Sequence, residues 1–239
     1  MEIRGLLIHR VEKKSGVKMS NNSEKVANTH FDKKFGMCNG FEKVGSKGKI
    51  GYIDINEKLI TPIKYDDGDE FFCLDSKMFF ARVKLNEKWG IINQFGKEIT
   101  EIKYDYIWKF KNGVARFKLN GKYGFVNIKG EEITLPKYDN AYDFKNNFAI
   151  VELNGKCGFI NIKGEEITDI KYDDAKEFYY NIGRVKLNSK WGYINSSGLE
   201  ITNIKYDVTN IHSDGKKALA FRDNNYVSID LSGNESSIK

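Results

Sequence analysis

Residues 121–154 read GKYGFVNIKGEEITLPKYDNAYDFKNNFAIVELN, and residues 155–188 answer them with GKCGFINIKGEEITDIKYDDAKEFYYNIGRVKLN. The shared register runs along most of the chain. Gly51, Gly90, Gly124, Gly158 and Gly192 are each followed, fourteen residues later, by Tyr65, Tyr104, Tyr138, Tyr172 and Tyr206. A period of about 34 residues also belongs to helical repeat arrays, so the local pattern has to decide. Val114-Ala115-Arg116-Phe117-Lys118-Leu119 alternates with period two, as a half-buried strand does. Asn120-Gly121 then supplies the residue pair of a two-residue hairpin turn, because both central residues of that turn take positive φ. Tyr123 to Asn127 reads as the return strand, and Asn154-Gly155 marks the same hairpin one unit later. Lys129-Gly130 or Lys163-Gly164 gives a second turn signal, leading into a short Glu-Glu-Ile-Thr strand. Each unit is therefore expected to be a hairpin plus one further strand. Helices are disfavoured by the β-branched and aromatic content and by the glycines in every unit.

The expected organisation is a non-repeat segment, residues 1–30, followed by a repeat array over residues 31–239. The array holds five full units and two flanking half-units. NGFEKVGSKGK, from Asn39, supplies the back half of a repeat, and NYVSIDLSG, Asn225 to Gly233, supplies the front half of another. The first full unit has a longer connector, Asp67 to Phe80 (DGDEFFCLDSKMFF). Irregularity in a regular array is a place to look for a partner site; a loop that packs into the core is the equal alternative. Residues 1–18 are expected to be a floppy tail or an extension ahead of the true start. Their apolar run, Gly5 to Ile8, is too short for the core of a secretory signal.

Stacking equivalent positions gives columns. Ile53, Ile92, Val126, Ile160, Ile194 and Ile229 form a core column. Ile50, Trp89, Tyr123, Cys157, Trp191 and Tyr226 form a second, which reads either as packing between units or as a row of aromatic platforms for glycans or bases, with packing expected. The Gly column implies that a neighbouring backbone or ring occupies the space of a Cβ. The Tyr-Asp pairs are expected to place a packed tyrosine with a bonded hydroxyl beside a turn-capping carboxylate. One carboxylate per unit supplies too few oxygens for a calcium cage. Asp54, Asn93, Asn127, Asn161, Asn195 and Asp230 are expected to close a turn or bond along the stack. Two rows of Lys recur, before the Trp-Gly and the Tyr-Asp pairs, accompanied by acidic residues such as Glu98, Glu131, Glu132, Glu165, Glu166 and Glu200. A solvated mixed-charge surface is the expectation.

Catalytic constellations are missing from the sequence. His9, His30 and His212 are scattered, and there is no phosphate loop or dinucleotide fingerprint. The three cysteines, Cys38, Cys73 and Cys157, have neither metal spacing nor a disulfide framework, so reduced thiols are expected. No catalytic, cofactor-binding or metal site is therefore assigned. The formal net charge is +6, with 39 basic and 33 acidic residues. Six Lys/Arg against three Glu fall in residues 1–30, which leaves the array near neutral and makes nucleic acid an unlikely partner. No apolar run reaches membrane-span length, and a cytoplasmic location is expected.

The units KWGIINQFGKEITEIKYD and KWGYINSSGLEITNIKYD, with NGVARFKLNGKYGFVN between them, resemble the bacterial WG-repeat family. The resemblance covers residues 39–233. Trp is kept only at Trp89 and Trp191, and Glu57 replaces the turn Gly of the first unit. The resemblance implies a β-repeat architecture and a protein-binding role, with no shared active site. The fold expected is an all-β open solenoid or superhelix, with a closed propeller, completed by strands from both ends, as the alternative. The function expected is a non-enzymatic protein-interaction scaffold. A glycan or cell-envelope binder is the alternative.

Overall fold

Paired residues in the left-handed region seed each hairpin. Asn120 and Gly121 have φ of 51° and 79°, and Asn154 and Gly155 have 53° and 74°, the geometry of a turn that matches strand twist. Three other units reach it without glycine, through Asn86-Glu87, Asn188-Ser189 and Asp223-Asn224. The computed structural model describes residues 31–211 and 217–238; the expectations for residues 1–30, and for the three histidines, fall outside these.

Six small antiparallel sheets follow one another along the described chain. The first holds β1 (Lys33–Cys38), β2 (Phe41–Ser46) and β3 (Lys49–Asp54); the second β4 (Asp67–Gly68), β5 (Phe72–Asp75), β6 (Met78–Leu85) and β7 (Lys88–Asn93). The third holds β8 (Tyr106–Ile107), β9 (Val114–Leu119), β10 (Lys122–Asn127) and β11 (Glu132–Tyr138); the fourth β12 (Asn140–Ala141), β13 (Phe148–Leu153) and β14 (Lys156–Asn161). The fifth holds β15 (Asp174–Tyr179), β16 (Ile182–Leu187) and β17 (Lys190–Asn195); the sixth β18 (Val208–Ile211), β19 (Lys217–Arg222), β20 (Asn225–Asp230) and β21 (Glu235–Ser237). No strand pairing joins the first sheet to the sixth among the described residues. The half-units stay apart: β2 pairs with β1 and β3, and β20 pairs with β19 and β21. The array is open, and the shared closing sheet of the propeller alternative does not form.

The hairpins register as expected, Val185 opposite Gly192 and Val151 opposite Gly158. The further strand of each unit differs from expectation. Glu-Glu-Ile-Thr makes only single bridges in most units, such as Ile160 to Glu166, and a continuous strand only at β11. The strand that widens each sheet comes instead from the residues after Tyr-Asp, as when Ala175 of β15 pairs with Val185. The Glu-Ile-Thr stretch has another duty. Its Thr is buried, and the hydroxyl oxygens of Thr100, Thr134 and Thr168 accept from the backbone N–H of Ile91, Phe125 and Phe159, each at 3.0 Å. The buried hydroxyl satisfies one main-chain donor in each of these units, including the unit where β11 forms a full strand.

The core repeats with the sequence. Tyr65, Tyr104, Tyr138, Tyr172 and Tyr206 are buried, as is the Ile53–Ile229 column. Clusters form between consecutive sheets: Phe80 and Ile91 of the second meet Ile107, Ala115, Phe117 and Val126 of the third. Phe71, Phe110, Phe144 and Phe178, six residues after the tyrosines, are buried in four of the clusters. The connector 67–80 joins this plan as a core element, with Phe71 against Phe41 and Tyr52.

Candidate functional site

Each Lys-Tyr-Asp segment spends its three polar groups on fixed tasks. The Asp carboxylate binds its own hairpin: Asp173 takes Lys156 Nζ at 2.6 Å and the backbone N–H of Asn188, at the turn, at 2.7 Å. Asp105 repeats this with Lys88 at 2.6 Å and Gly121 N–H at 3.2 Å. The lysine hydrogen bond, followed by the turn N–H, holds Asp66, Asp139 and Asp173 below the usual aspartate range. The tyrosine reaches forward instead. Tyr104, Tyr138 and Tyr172 donate to Glu132, Glu166 and Glu200 of the following unit at 3.0, 3.0 and 3.1 Å. The lysine before each tyrosine joins the same carboxylate, Lys137 at 2.7 Å from Glu166. Both expected lysine rows are thus matched by acids, one within units and one between them. Asn127 Oδ1 accepts from Lys129 and Glu131 N–H, so its column closes a turn.

The two glycine positions answer different needs. A Cβ on Gly90 would lie 2.9 Å from Ile102 Cγ1 and 3.1 Å from the Glu101 carbonyl oxygen, so the return strand is grazed by its own unit. The turn glycine Gly130, at φ +84°, faces the preceding unit, where a Cβ would overlap the Ile99 carbonyl oxygen. The first full unit has Glu57 there, at φ 60°, and its carboxylate pairs with Lys34 at 2.7 Å.

The Trp/Tyr column serves packing, and its faces are covered by cations. Ile50 and Cys157 are buried, Trp89, Tyr123 and Trp191 are half-buried, and Tyr226 at the end is exposed. Arg82 lies 5.3 Å from the Trp89 ring, Arg116 lies 5.8 Å from Tyr123 and 4.1 Å from Trp108 beside it, and Lys176 and Lys186 flank Trp191 at 5.6 and 5.7 Å. These contacts add to area burial.

Sequence reasoning misses an arginine row, although its period matches the rest. Arg82, Arg116, Ile150, Arg184 and Leu219 occupy one place in successive sheets. Each arginine bonds a main-chain carbonyl of the next sheet: Arg82 Nη1 to Ile107 at 2.9 Å, Arg116 to Ala141, and Arg184 Nη1 to Thr209 at 2.7 Å. The residue facing this row across the ladder varies from sheet to sheet. Asp69 accepts from Arg82 Nε at 2.6 Å, and Trp108 lies against Arg116. Lys176 sits directly opposite Arg184.

Where the row is interrupted by Ile150 and the Trp column by Cys157, a cleft of about 1000 Å³ opens along β15. Tyr142, Ile150 and Cys157 line it from the fourth sheet, Arg184 from the fifth, and Ile211 and Leu219 from the sixth. Small side chains at 150 and 157 leave unfilled the space that arginine and tryptophan fill elsewhere. Tyr142 is anchored by its hydroxyl on Glu152 at 2.9 Å. Among the described residues, no three His, Cys, Asp or Glu converge on a possible metal position, and the three cysteines are unpaired. Burial pushes the Cys157 thiol up to about 11.

The family model described as "WG containing repeat" matches residues 50–89, 89–123, 123–157 and 158–191, more than half of the chain. No curated protein matches the sequence. Among solved structures, a eukaryotic initiation factor is 9% identical, with 87% of this chain and 65% of that chain covered and a TM-score of 0.44. Hsv2 of Kluyvelomyces marxianus is 13% identical over 84% of this chain and 79% of that chain, with a TM-score of 0.36. Dihydro-heme d1 dehydrogenase NirN is 12% identical, covering 83% and 54%, with a TM-score of 0.36. Likenesses at this level carry no argument about activity.

Proposed function

The chain belongs to the WG-containing repeat family, and from that premise we propose that it is a non-enzymatic protein-interaction scaffold acting in the cytoplasm. The observation that carries the reading is a division among its tyrosines. The five that end units are at most 1% exposed, whereas Tyr142 and Tyr179, which line the cleft, are 45% and 46% exposed; Tyr180, next along the chain, and Tyr226 of the sixth sheet are exposed as well. Tyrosine is among the residues that anchor protein interfaces, because it brings a large contact area at a small cost in rotamer entropy. The surrounding array supplies the rigid frame: its charges are matched in pairs and its units are stapled to one another. No helix of the described residues is long and apolar enough to cross a membrane. Against the glycan alternative count the cations lying over Trp89, Trp108 and Trp191, which occupy the faces a sugar would stack on.

The test is affinity capture of the full chain from its native lysate with crosslinking and mass spectrometry. A reproducible protein partner, crosslinked to lysines of the fourth to sixth sheets, is the expected result. Recovery of envelope glycan or nucleic acid alone, or of nothing above background, overturns the scaffold reading.

A further inference from the structure

The cleft beside β15 differs from the rest of the array in how its charges are matched. Arg82 has the Asp69 carboxylate at 2.6 Å, and Arg116 has Asp143 at 3.7 Å. Arg184, the third member of the row, has no ion pair with any carboxylate of the described residues. The position that holds Asp69 beside Arg82 holds Lys176 here, directly opposite Arg184, where like charges oppose each other. Ile211 stands where the sheet after Arg116 carries Asp143. Of the acids that line the cleft, Asp174 is taken by Lys176 at 3.0 Å, Glu177 by Lys145 at 2.6 Å, and Glu152 by Tyr142. Arg184 Nε, like Arg116 Nε, is buried with no acceptor among the described residues, and its Nη1 has the Thr209 carbonyl; unlike Arg116, it has no Asp143 equivalent nearby. A cation in this state is stabilised by whatever carboxylate reaches it.

The cleft adds two further constraints. Ile211, Leu219 and Tyr179 line it together with Arg184, so the cleft offers apolar surface as well as the charged Lys176 and Glu177. β15 is the outermost strand of the fifth sheet and is six residues long, as is β1 of the first, whereas β18 has four residues and β4, β8 and β12 have two each. A long outer edge suits an extended chain laid alongside it.

We propose that this cleft is the docking site of the scaffold, and that it takes an extended, acidic segment of a partner protein. One Asp or Glu of the segment pairs with Arg184, as Asp69 pairs with Arg82, and a neighbouring apolar side chain lies against Ile211 and Leu219. The proposal rests on the scaffold reading and names its partner's chemistry.

The decisive variant is Lys176→Asp, which gives Arg184 an in-chain carboxylate at the place Asp69 takes beside Arg82, while leaving the guanidinium intact. Lys176 is exposed, so the fold tolerates the change. A random dodecapeptide library displayed on phage is selected on the full wild-type chain. The recovered peptides are then titrated, as blocked synthetic peptides, against wild type, Lys176→Asp and Arg184→Leu. The expected result is one fixed acidic position beside an apolar one. Affinity is expected to fall by about tenfold or more in Lys176→Asp, and equally when the peptide's acid becomes its amide. If Arg184→Leu does not fold, the amide peptide and Lys176→Asp still decide. Selected peptides without an acidic preference, peptides bound equally by Lys176→Asp, or no selected peptide at all overturn the proposal. Equal binding by Lys176→Asp places docking elsewhere and leaves the scaffold reading standing; only failure of the lysate capture removes that reading.

Discussion

Tyr138 and Glu166, which belong to consecutive units, are joined by a hydrogen bond of 3.0 Å from the phenol to Oε1, and Lys137 reaches the same oxygen at 2.7 Å. The ring is buried in its own unit's core while its hydroxyl serves the next. Packing and coupling are therefore separable at this residue. Tyr138→Phe keeps the ring and is expected to cost about 1 kcal/mol. Tyr138→Ala also empties the core and is expected to cost about 3–5 kcal/mol. Urea unfolding followed by far-UV circular dichroism gives both values; equal costs would show that the hydroxyl, and not the ring, holds the unit.

Gly130 and Gly113 both sit at φ near +80°, yet they meet different surroundings. A Cβ on Gly113 finds nothing within 4 Å, whereas one on Gly130 overlaps the Ile99 carbonyl oxygen. Gly113→Ala should therefore cost only the left-handed penalty, about 1–2 kcal/mol. Gly130→Ala should cost clearly more, because a junction between units must part. Thermal melts of the two variants test the order, and a smaller effect at Gly130 would contradict the close approach.

The charge ladders set a pH window. Asp66, Asp139, Asp173, Glu166 and Glu235 titrate below their ordinary values in the folded chain, chiefly through lysine or arginine partners and turn amides. Their stabilisation is present above the unfolded values near pH 4 and is lost as pH falls through the lower folded ones. At the other end, burial raises Tyr104, Tyr138 and Tyr172 above the ordinary phenol. Their contribution is intact below about pH 10 and is lost as pH rises beyond it, because the unfolded chain releases those protons first. Melting temperature is expected to decline on both flanks. Tyrosinate absorbance from the buried rings should grow in step with loss of the sheet signal; full ionisation in a folded chain would contradict this.

Thiol chemistry offers a check on the core. Cys73 is exposed, and Cys157 is buried with its thiol pushed up to about 11 by that burial. At neutral pH an aromatic disulfide reagent should modify Cys73 rapidly and Cys157 only at the rate at which the fourth and fifth sheets open. Modification of Cys157 as fast as Cys73, with the fold intact, would mean that the thiol is open to reagent from the cleft it lines and is not shielded by burial.

What can be read from the sequence is what each unit settles locally. Asn120-Gly121 announces a turn because its dihedral need is local, and the Asp of each Tyr-Asp pair announces a cap for the same reason. The bonded tyrosine hydroxyl is also foreseeable, since a phenol buried in every unit needs an acceptor. The further strand is not. Glu-Glu-Ile-Thr has strand composition, but in most units it makes only single bridges, and the ladder moves to the residues after Tyr-Asp. Arg184 is invisible for a longer-range reason. Its meaning depends on Lys176 across the ladder and Ile211 in the next sheet, and neither is near it until the chain folds. The connector 67–80 stands out in the sequence, yet Phe71 shows it to be core. The cleft instead follows from two quiet substitutions, Ile150 and Cys157, in otherwise regular rows.

Glu235 gives the array a direction. It comes from the terminal strand β21 and answers Tyr206, Lys205 and Arg222 together, so the last full unit finds its acid without a unit beyond it. In the first full unit Glu57, at φ 60°, stands where the later units have glycine. Every junction between these ends uses one plug and one socket, the same on all interior units. A gene for such a chain can grow by copying an interior unit whole, because the duplicate arrives with both fittings.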